Sequence, residues 1–177
     1  LKEFTTSVPP SSRTCGHYQR IIESIANGTK GQILNELTNF TDFLINNITD
    51  MALKDLFVLM STEFTESFGL NTDLLIKLVS QINDENGLFV VSCIREIMKA
   101  NSKDLNEKVF DSDNFIDSLF KTTIEITKSN PLLATELLRL IKSFNTCKNY
   151  EQVLQKYQQN YEYQKNISLP FQVQVFN

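Results

Sequence analysis

The stretch that decides the fold is "GLFVVSCIREIMKA", residues 87–100. Its apolar residues recur so closely that they cover much of a helix circumference, which is typical of a helix buried on several sides. Gly87 closes the polar turn "NDENG" and is expected to act as a breaker in front of the helix. We therefore predict a helix over about 88–100, at the centre of an all-helical fold. Its predicted inward residues are Leu88, Phe89, Val90, Val91, Cys93, Ile94, Ile97 and Met98.

Four amphipathic helices are predicted on the N-terminal side of this stretch. Each shows apolar residues at the three- and four-residue spacing of one helix face and ends at a stop or cap residue. The predicted bounds are about 16–27 with Gly28 as the stop, about 31–47, a third helix from a Thr49 cap through Phe68 to a Gly69 stop, and a fourth starting at Asn71 or Thr72.

The C-terminal side continues the pattern with a short helix after Ser102, a helix from about Asp113, and two later ones. Asn130 and Pro131 make a good cap and first helical residue, and Asn149 opens a last helix that reaches about Lys165. The sequence thus predicts an all-α protein of eight or nine amphipathic helices, in a compact bundle or a HEAT- or armadillo-like α–α stack. We predict one helical domain over residues 13–165, with extended segments at 1–12 and 166–177.

The last ten residues, "SLPFQVQVFN" at 168–177, depart from this pattern because apolar and polar residues alternate, as in a β-strand. Phe171, Val173 and Val175 form one side of the alternation. The segment has three candidate arrangements: pairing with the extended residues 1–8, addition to a strand of another chain, or docking of its apolar side along the helices. It is therefore a candidate interaction surface, either for another protein or for self-association.

Composition excludes two classes of partner. The chain has 177 residues and a formal charge of −4, and its 17 Lys and Arg are scattered singly. The absence of a basic run or stripe argues against nucleic acid and anionic membranes as partners. No apolar run approaches the roughly 20 residues that a membrane span needs.

Cysteines and glycosylation motifs bear on the compartment. Cys15 and Cys147 both fall in predicted loops and form a candidate disulfide, whereas Cys93 falls in the central helix. The alternative is three reduced thiols. Leu1 stands where an initiator Met is absent, which fits a processed protein or a piece of a longer one. We favour an extracellular location over the cytoplasm. Candidate N-glycosylation sites are Asn27, Asn39, Asn47 and Asn166.

No catalytic constellation is apparent, and no cofactor or metal is predicted. The single histidine, His17, lies two residues from Cys15, which is not a standard spacing for a metal site or a catalytic pair. Glu63 and Glu66 lie one turn apart and are interpreted as a solvated helix face. The sequence therefore predicts a protein that is not an enzyme.

Aromatic residues suggest two functions. Tyrosines on the last predicted helix are typical of a binding interface, so the first hypothesis is an α-helical module that recognises another protein. The alternative is a secreted helical carrier of a hydrophobic small molecule or lipid, because the chain has 13 Phe, enough to line an apolar cavity. The candidate interaction residues on the last helix are Tyr150, Tyr157 and Tyr161.

Overall fold

A computed structural model of the chain describes residues 11–101, 109–110, 112–144, 151 and 155. Those residues contain helices and connections and no strand, which confirms the all-α prediction. They form two compact units. The first comprises the described residues up to Leu70 together with Ser92–Ala100, and the second comprises Asn71–Val91 and the described residues from Asn101 onward.

The first unit is built on α3 (Met51–Glu63), against which α1 (Ser12–Thr29) and α2 (Phe40–Asn46) pack. The ring of Phe68 meets the rings of Phe57 and Phe40 edge-on, at 5.3 and 6.0 Å between centroids. Such edge-to-face pairs are favourable beyond the area that they bury. Its elements are α1 (Ser12–Thr29), a 3₁₀ helix (Gln32–Glu36), α2 (Phe40–Asn46), α3 (Met51–Glu63), α4 (Thr65–Phe68) and the Ser92–Ala100 part of α6 (Gly87–Ala100).

The second unit is organised around α7 (Asp113–Ile126), which packs against α5 (Thr72–Ser80) and α8 (Pro131–Lys142). The first residues of α6 complete it. Its core contains a second ring cluster, in which Phe110, Phe115 and Phe144 lie 5.5 to 5.6 Å apart between centroids. All three rings are at most 1% exposed, so they fill the core.

Several predicted helix ends are confirmed. Asn71 caps α5 by accepting a hydrogen bond from the Leu74 N–H, and Asn130 caps α8 in the same way ahead of Pro131. Gly69 ends α4 in the left-handed conformation, with φ of 74°. These positions follow the cap and stop chemistry that the sequence displays.

The predicted second helix, about 31–47, is wrong as a single element. The structure has a 3₁₀ helix and α2 in its place, with Leu37 extended and Asn39 in the left-handed conformation at φ 58° between them. Asn tolerates that conformation better than most residues do. The apolar stripe did not reveal the break, because Phe40, Leu44 and Ile48 after it are buried and Ile33 and Leu37 before it are half-buried.

The predicted third helix needs two corrections. Asp50, and not Thr49, caps α3, and its carboxylate accepts hydrogen bonds from the N–H groups of Ala52 and Leu53. The helix then ends at Glu63, and a break at Phe64 separates it from α4. Sequence reasoning missed the break because Phe64 and Phe68 both fit the stripe.

The predicted first helix is longer than expected. It begins at Ser12 behind a Ser11 cap and continues through Gly28, the expected stop, to Thr29. The left-handed residues that end it are Lys30 and Gly31. The helix predicted over about 88–100 is present as α6, and Gly87, expected to break the pattern, is its first residue. The prediction that Leu88 faces inward is wrong, since its side chain is 50% exposed.

Most of the predicted terminal segments, of the short helix after Ser102 and of the last helix lies outside the described residues. Val109 and Phe110, the described residues of that short helix, are helical and buried. The described residues Glu151 and Gln155 are helical. The predicted domain limits and the candidate terminal strand pairing stay predictions.

Candidate functional site

All six sequence-predicted interaction residues lie outside the described residues. This applies to Tyr150, Tyr157 and Tyr161 on the last helix and to Phe171, Val173 and Val175 in the C-terminal segment. They stay predictions.

Cys15, one half of the predicted disulfide, is a core residue of α1 and not a loop residue. It is 1% exposed, and its thiol interacts with the Asp50 carboxylate. Burial raises the pKa of the Cys15 thiol to about 11, and the negative charge of Asp50 and the hydrogen bond to it add to that rise. No disulfide joins Cys15 to Cys93, the other described cysteine; Cys147 lies outside the described residues, so its pairing with Cys15 stays a prediction.

The candidate glycosylation asparagines differ in their surroundings. Asn27 is exposed on α1, and Asn39 is exposed at the start of α2. The Asn47 side chain is less accessible, because its amide nitrogen donates a 2.8 Å hydrogen bond to the Phe43 carbonyl. That nitrogen is the atom a glycan would join, so Asn47 is the least suited of these three. Asn166 lies outside the described residues.

A polar pocket of about 310 Å³ opens in the first unit, beside the break between α3 and α4. Gly31 makes this arrangement possible, because a Cβ atom there would lie 2.9 Å from the Phe64 ring and 3.0 Å from the Ser67 hydroxyl. Glu63 and Glu66, interpreted from sequence as a solvated face, are indeed exposed and form part of the pocket rim. The lining residues are Lys30, Glu63, Phe64, Thr65, Glu66 and Ser67.

A charged cluster that the sequence did not reveal joins α3 to α6 within the first unit. Lys54 is only 5% exposed. Its Nζ lies 2.8 Å from Glu96 Oε1 and 3.3 Å from Asp55 Oδ1. Ser92 Oγ donates a second hydrogen bond, 2.7 Å long, to the same Glu96 oxygen. We call Lys54, Asp55, Ser92 and Glu96 the Lys54 cluster.

The opposite charges in the Lys54 cluster stabilise the fold of the first unit. Burial lowers the pKa of Lys54, but the hydrogen bonds and charges of Glu96 and Asp55 outweigh that effect and raise it. The ammonium therefore stays protonated and is unsuited to act as a nucleophile or a base. Nearby Cys93 is fully buried, and burial raises the pKa of its thiol.

An exposed apolar feature occurs in the second unit, where the first turns of α6 and α8 meet. Gly87 lies so close to Leu133 that a Cβ atom on Gly87 would overlap the Leu133 methyl groups. The residue after Gly87 and the residue before Leu133 are both leucines, Leu88 at 50% and Leu132 at 67% exposure. We call Leu88 and Leu132 the leucine pair.

The turn in front of α6 is held by its own side chains. Asn83 Oδ1 accepts from the N–H groups of Glu85 and Asn86, and Asn86 Oδ1 accepts from the Asn83 N–H. This reciprocal arrangement is that of a capping box. It fixes Asp84 and Glu85, both exposed, one helical turn ahead of Leu88, where carboxylates also favour a helix start.

The described residues contain no group of three or more His, Cys, Asp or Glu side chains placed to hold a metal ion. None of the described helices has the length and apolar character needed to cross a membrane. Comparison of the chain with protein-family models, with curated proteins and with solved structures gives no match.

Proposed function

We propose that this chain is a non-enzymatic α-helical module that binds another protein, and that the leucine pair forms part of its binding surface. The supporting observation is that Leu88 and Leu132, half and two-thirds exposed, adjoin the tight contact between Gly87 and Leu133. Each leucine is the chain neighbour of a residue of that contact, and large apolar side chains exposed on a rigid support suit the anchors of a binding site.

Rigidity supports the proposal because an ordered surface loses less conformational entropy on binding. The Asn83–Asn86 capping box holds one side of the feature, and the Asn130 cap with Pro131 holds the other. Both leucines therefore occupy first helical turns whose backbone is already fixed before a partner arrives.

Charge describes the partner that fits this surface. Asp84 and Glu85 stand one turn ahead of Leu88 and give the α6 side an acidic flank, whereas the basic Lys128 precedes the α8 cap. A partner with an apolar anchor and a basic flank towards α6 is complementary to this surface.

The ionisable clusters of the first unit support a non-enzymatic role, because their members are engaged in structural contacts. Lys54 and Glu96 form an ion pair, and the Cys15 thiol interacts with the Asp50 carboxylate that caps α3.

The carrier hypothesis receives less support from the packing. Six of the 13 phenylalanines that suggested an apolar cavity pack on one another in two ring clusters. The pocket of the first unit has a lining unsuited to a lipid, because all of its lining residues except Phe64 are polar or charged. Polar and charged groups lose hydration when an apolar ligand covers them.

A variant with both leucines changed to serine, L88S/L132S, tests the proposal. Its matched control is I21S/M51S, which removes two exposed apolar side chains of the first unit, 49% and 56% exposed. Affinity purification with the full chain identifies a partner by mass spectrometry, and the purified pair is then titrated by calorimetry.

We expect binding to L88S/L132S to weaken at least about ten-fold, as loss of interface anchors does, while the control keeps its affinity. Equal dissociation constants for both variants, or no saturable partner for the unaltered chain, contradict the proposal. A concentration-dependent dimer that L88S/L132S abolishes shows that the occupant is a second copy, which contradicts the choice of a different protein.

A further inference from the structure

Lys54 makes the connection between α3 and α6 depend on charge. Its ammonium is 5% exposed and contacts two carboxylates. Asp55 is the next residue of the same helix, so its contact adds nothing between helices. Glu96 is the carboxylate that reaches Lys54 from α6, and it is also the acceptor for Ser92.

A buried ammonium is tolerated while an anion faces it, because the low polarity of the interior penalises an unpaired charge. Removing one partner of such a pair costs much more than the intact pair contributes. Protonation of Glu96 removes its charge, and solvent reaches both carboxylates, since the Glu96 and Asp55 side chains are 41% and 50% exposed. Because Asp55 shares a helix with Lys54, loss of the Glu96 charge is what weakens the contact between helices.

We propose that the Lys54–Glu96 pair is an acid-sensitive latch that holds residues Ser92–Ala100 of α6 on α3 and opens when Glu96 becomes protonated.

The direction of the pH dependence follows from the pKa shifts of the two groups. For Glu96, burial raises the pKa, but the hydrogen bonds from Lys54 and Ser92 and the positive charges of Lys54 and Lys99 outweigh burial and lower it. A lowered carboxyl pKa stabilises the fold above the unfolded value and loses that contribution as pH falls through the folded value. For Lys54, whose pKa is raised, the contribution is present below the unfolded value and is lost as pH rises through the folded one. The latch is closed between these limits.

Among the ionisable groups around the pair, Glu96 is the one whose protonation weakens the pair at low pH. Asp55 and Lys99 are the other charged groups that act on the pair. The Cys93 thiol is buried beside it, and the pKa of that thiol is raised by burial, so it stays neutral throughout the acid range.

Hydrogen exchange of the full chain, read by mass spectrometry as protection factors corrected for the intrinsic pH dependence, tests the latch. In the unaltered chain we expect protection of residues 92–100 to fall at least about ten-fold as pH is lowered from about 7 to below the ordinary glutamate pKa of about 4.3. In E96Q the loss is expected already at pH 7, with no further acid step. D117N is the control, since it removes a carboxylate that pairs with Lys121 in the second unit.

A second variant keeps the test decisive if E96Q fails to fold. K54M removes the buried charge, and a well-packed apolar residue is often tolerated in its place, so protection of residues 92–100 should persist without an acid step. The latch is overturned if residues 92–100 respond to acid equally in the unaltered chain and in K54M, or if E96Q matches the unaltered chain at pH 7.

Discussion

Gly31 illustrates how a single residue sets local geometry in the first unit. Its φ of 82° lies in the region that favours glycine, and it follows Lys30 at φ 51°. The two consecutive left-handed residues turn the chain sharply at the end of α1, and the missing Cβ lets the backbone approach Phe64 and Ser67. Glycine is the residue that meets both requirements at once.

We expect Gly31→Ala to lower the free energy of unfolding by about 1–3 kcal/mol, because the side chain is strained at positive φ and also meets the Phe64 ring. Urea unfolding followed by circular dichroism measures the change.

Two other glycines serve as controls for this variant. Gly69→Ala has the same positive φ but open space around its Cβ, so it should cost less than Gly31→Ala. Gly28→Ala lies inside α1 with open space, and should stabilise the protein by about 0.5–1 kcal/mol. Equal losses at Gly31 and Gly69 would show that the contact with Phe64 contributes nothing.

Cys15 provides a prediction about pH at the residue scale. With a thiol pKa of about 11, about one thiol in a thousand is ionised at pH 8, and the thiolate is the reactive form. We therefore expect iodoacetamide to modify Cys15 much more slowly in the native protein than in denaturant. The rate should rise as pH increases towards 11. Rapid native labelling at pH 8, located by peptide mass spectrometry, would contradict the assigned burial.

At the scale of elements, the start of α3 depends on Asp50. Its carboxylate accepts two backbone hydrogen bonds and also interacts with the Cys15 thiol of α1. It therefore both caps a helix and joins two helices.

We expect Asp50→Ala to cost about 1–2 kcal/mol of stability because it removes the N-cap. Thr49→Ala is the matched control. Thr49 is exposed and precedes the cap, so its loss should change the unfolding midpoint little. A larger loss from Thr49→Ala than from Asp50→Ala in thermal unfolding would assign the cap to Thr49, as the sequence alone suggested.

The close approach of α6 and α8 also has a specific test. Gly87→Ala should destabilise the second unit by about 1–3 kcal/mol, because the added methyl overpacks against Leu133. Leu133→Ala makes room for that methyl, so the double variant should be more stable than the sum of the two single effects predicts. Strict additivity in urea unfolding would show that the two residues do not meet.

Helix positions were predictable where chemistry is local, and unpredictable where tertiary contacts decide. Asn71, Asn130 and Pro131 mark helix starts through their own side chains. Asn39 and Phe64 lie at helix breaks that do not interrupt the apolar stripe, so the periodicity continues across both breaks. A one-dimensional pattern identifies the face of a residue but not a change in helix direction.

The same limit on prediction applies to candidate functional sites, as the Lys54 cluster shows. Lys54 lies within "MALKDLFVLM", where a lysine ordinarily occupies the solvent side. Its buried ammonium pairs with the carboxylate of Glu96, 42 residues later in the chain, and no local sequence signal connects the two residues. Gly87 was visible as a glycine, but its contact with Leu133 was not.

At the scale of the whole molecule, the all-helical class followed from composition and periodicity, whereas the division into two compact units did not. Each unit has its own aromatic cluster, with Phe40, Phe57 and Phe68 in one and Phe110, Phe115 and Phe144 in the other. The residues of both clusters belong to apolar stripes of the same kind, so the sequence pattern does not indicate that the chain forms two separate cores.

The two ring clusters can be observed separately by NMR spectroscopy. Edge-to-face rings displace the proton resonances of the groups above and beside them, so each cluster gives its unit a separate set of shifted methyl signals in an NMR spectrum. The chain has no Trp, so no indole ring contributes to those shifts. Following both sets of signals through a temperature series would reveal whether the two units melt in one transition or in two.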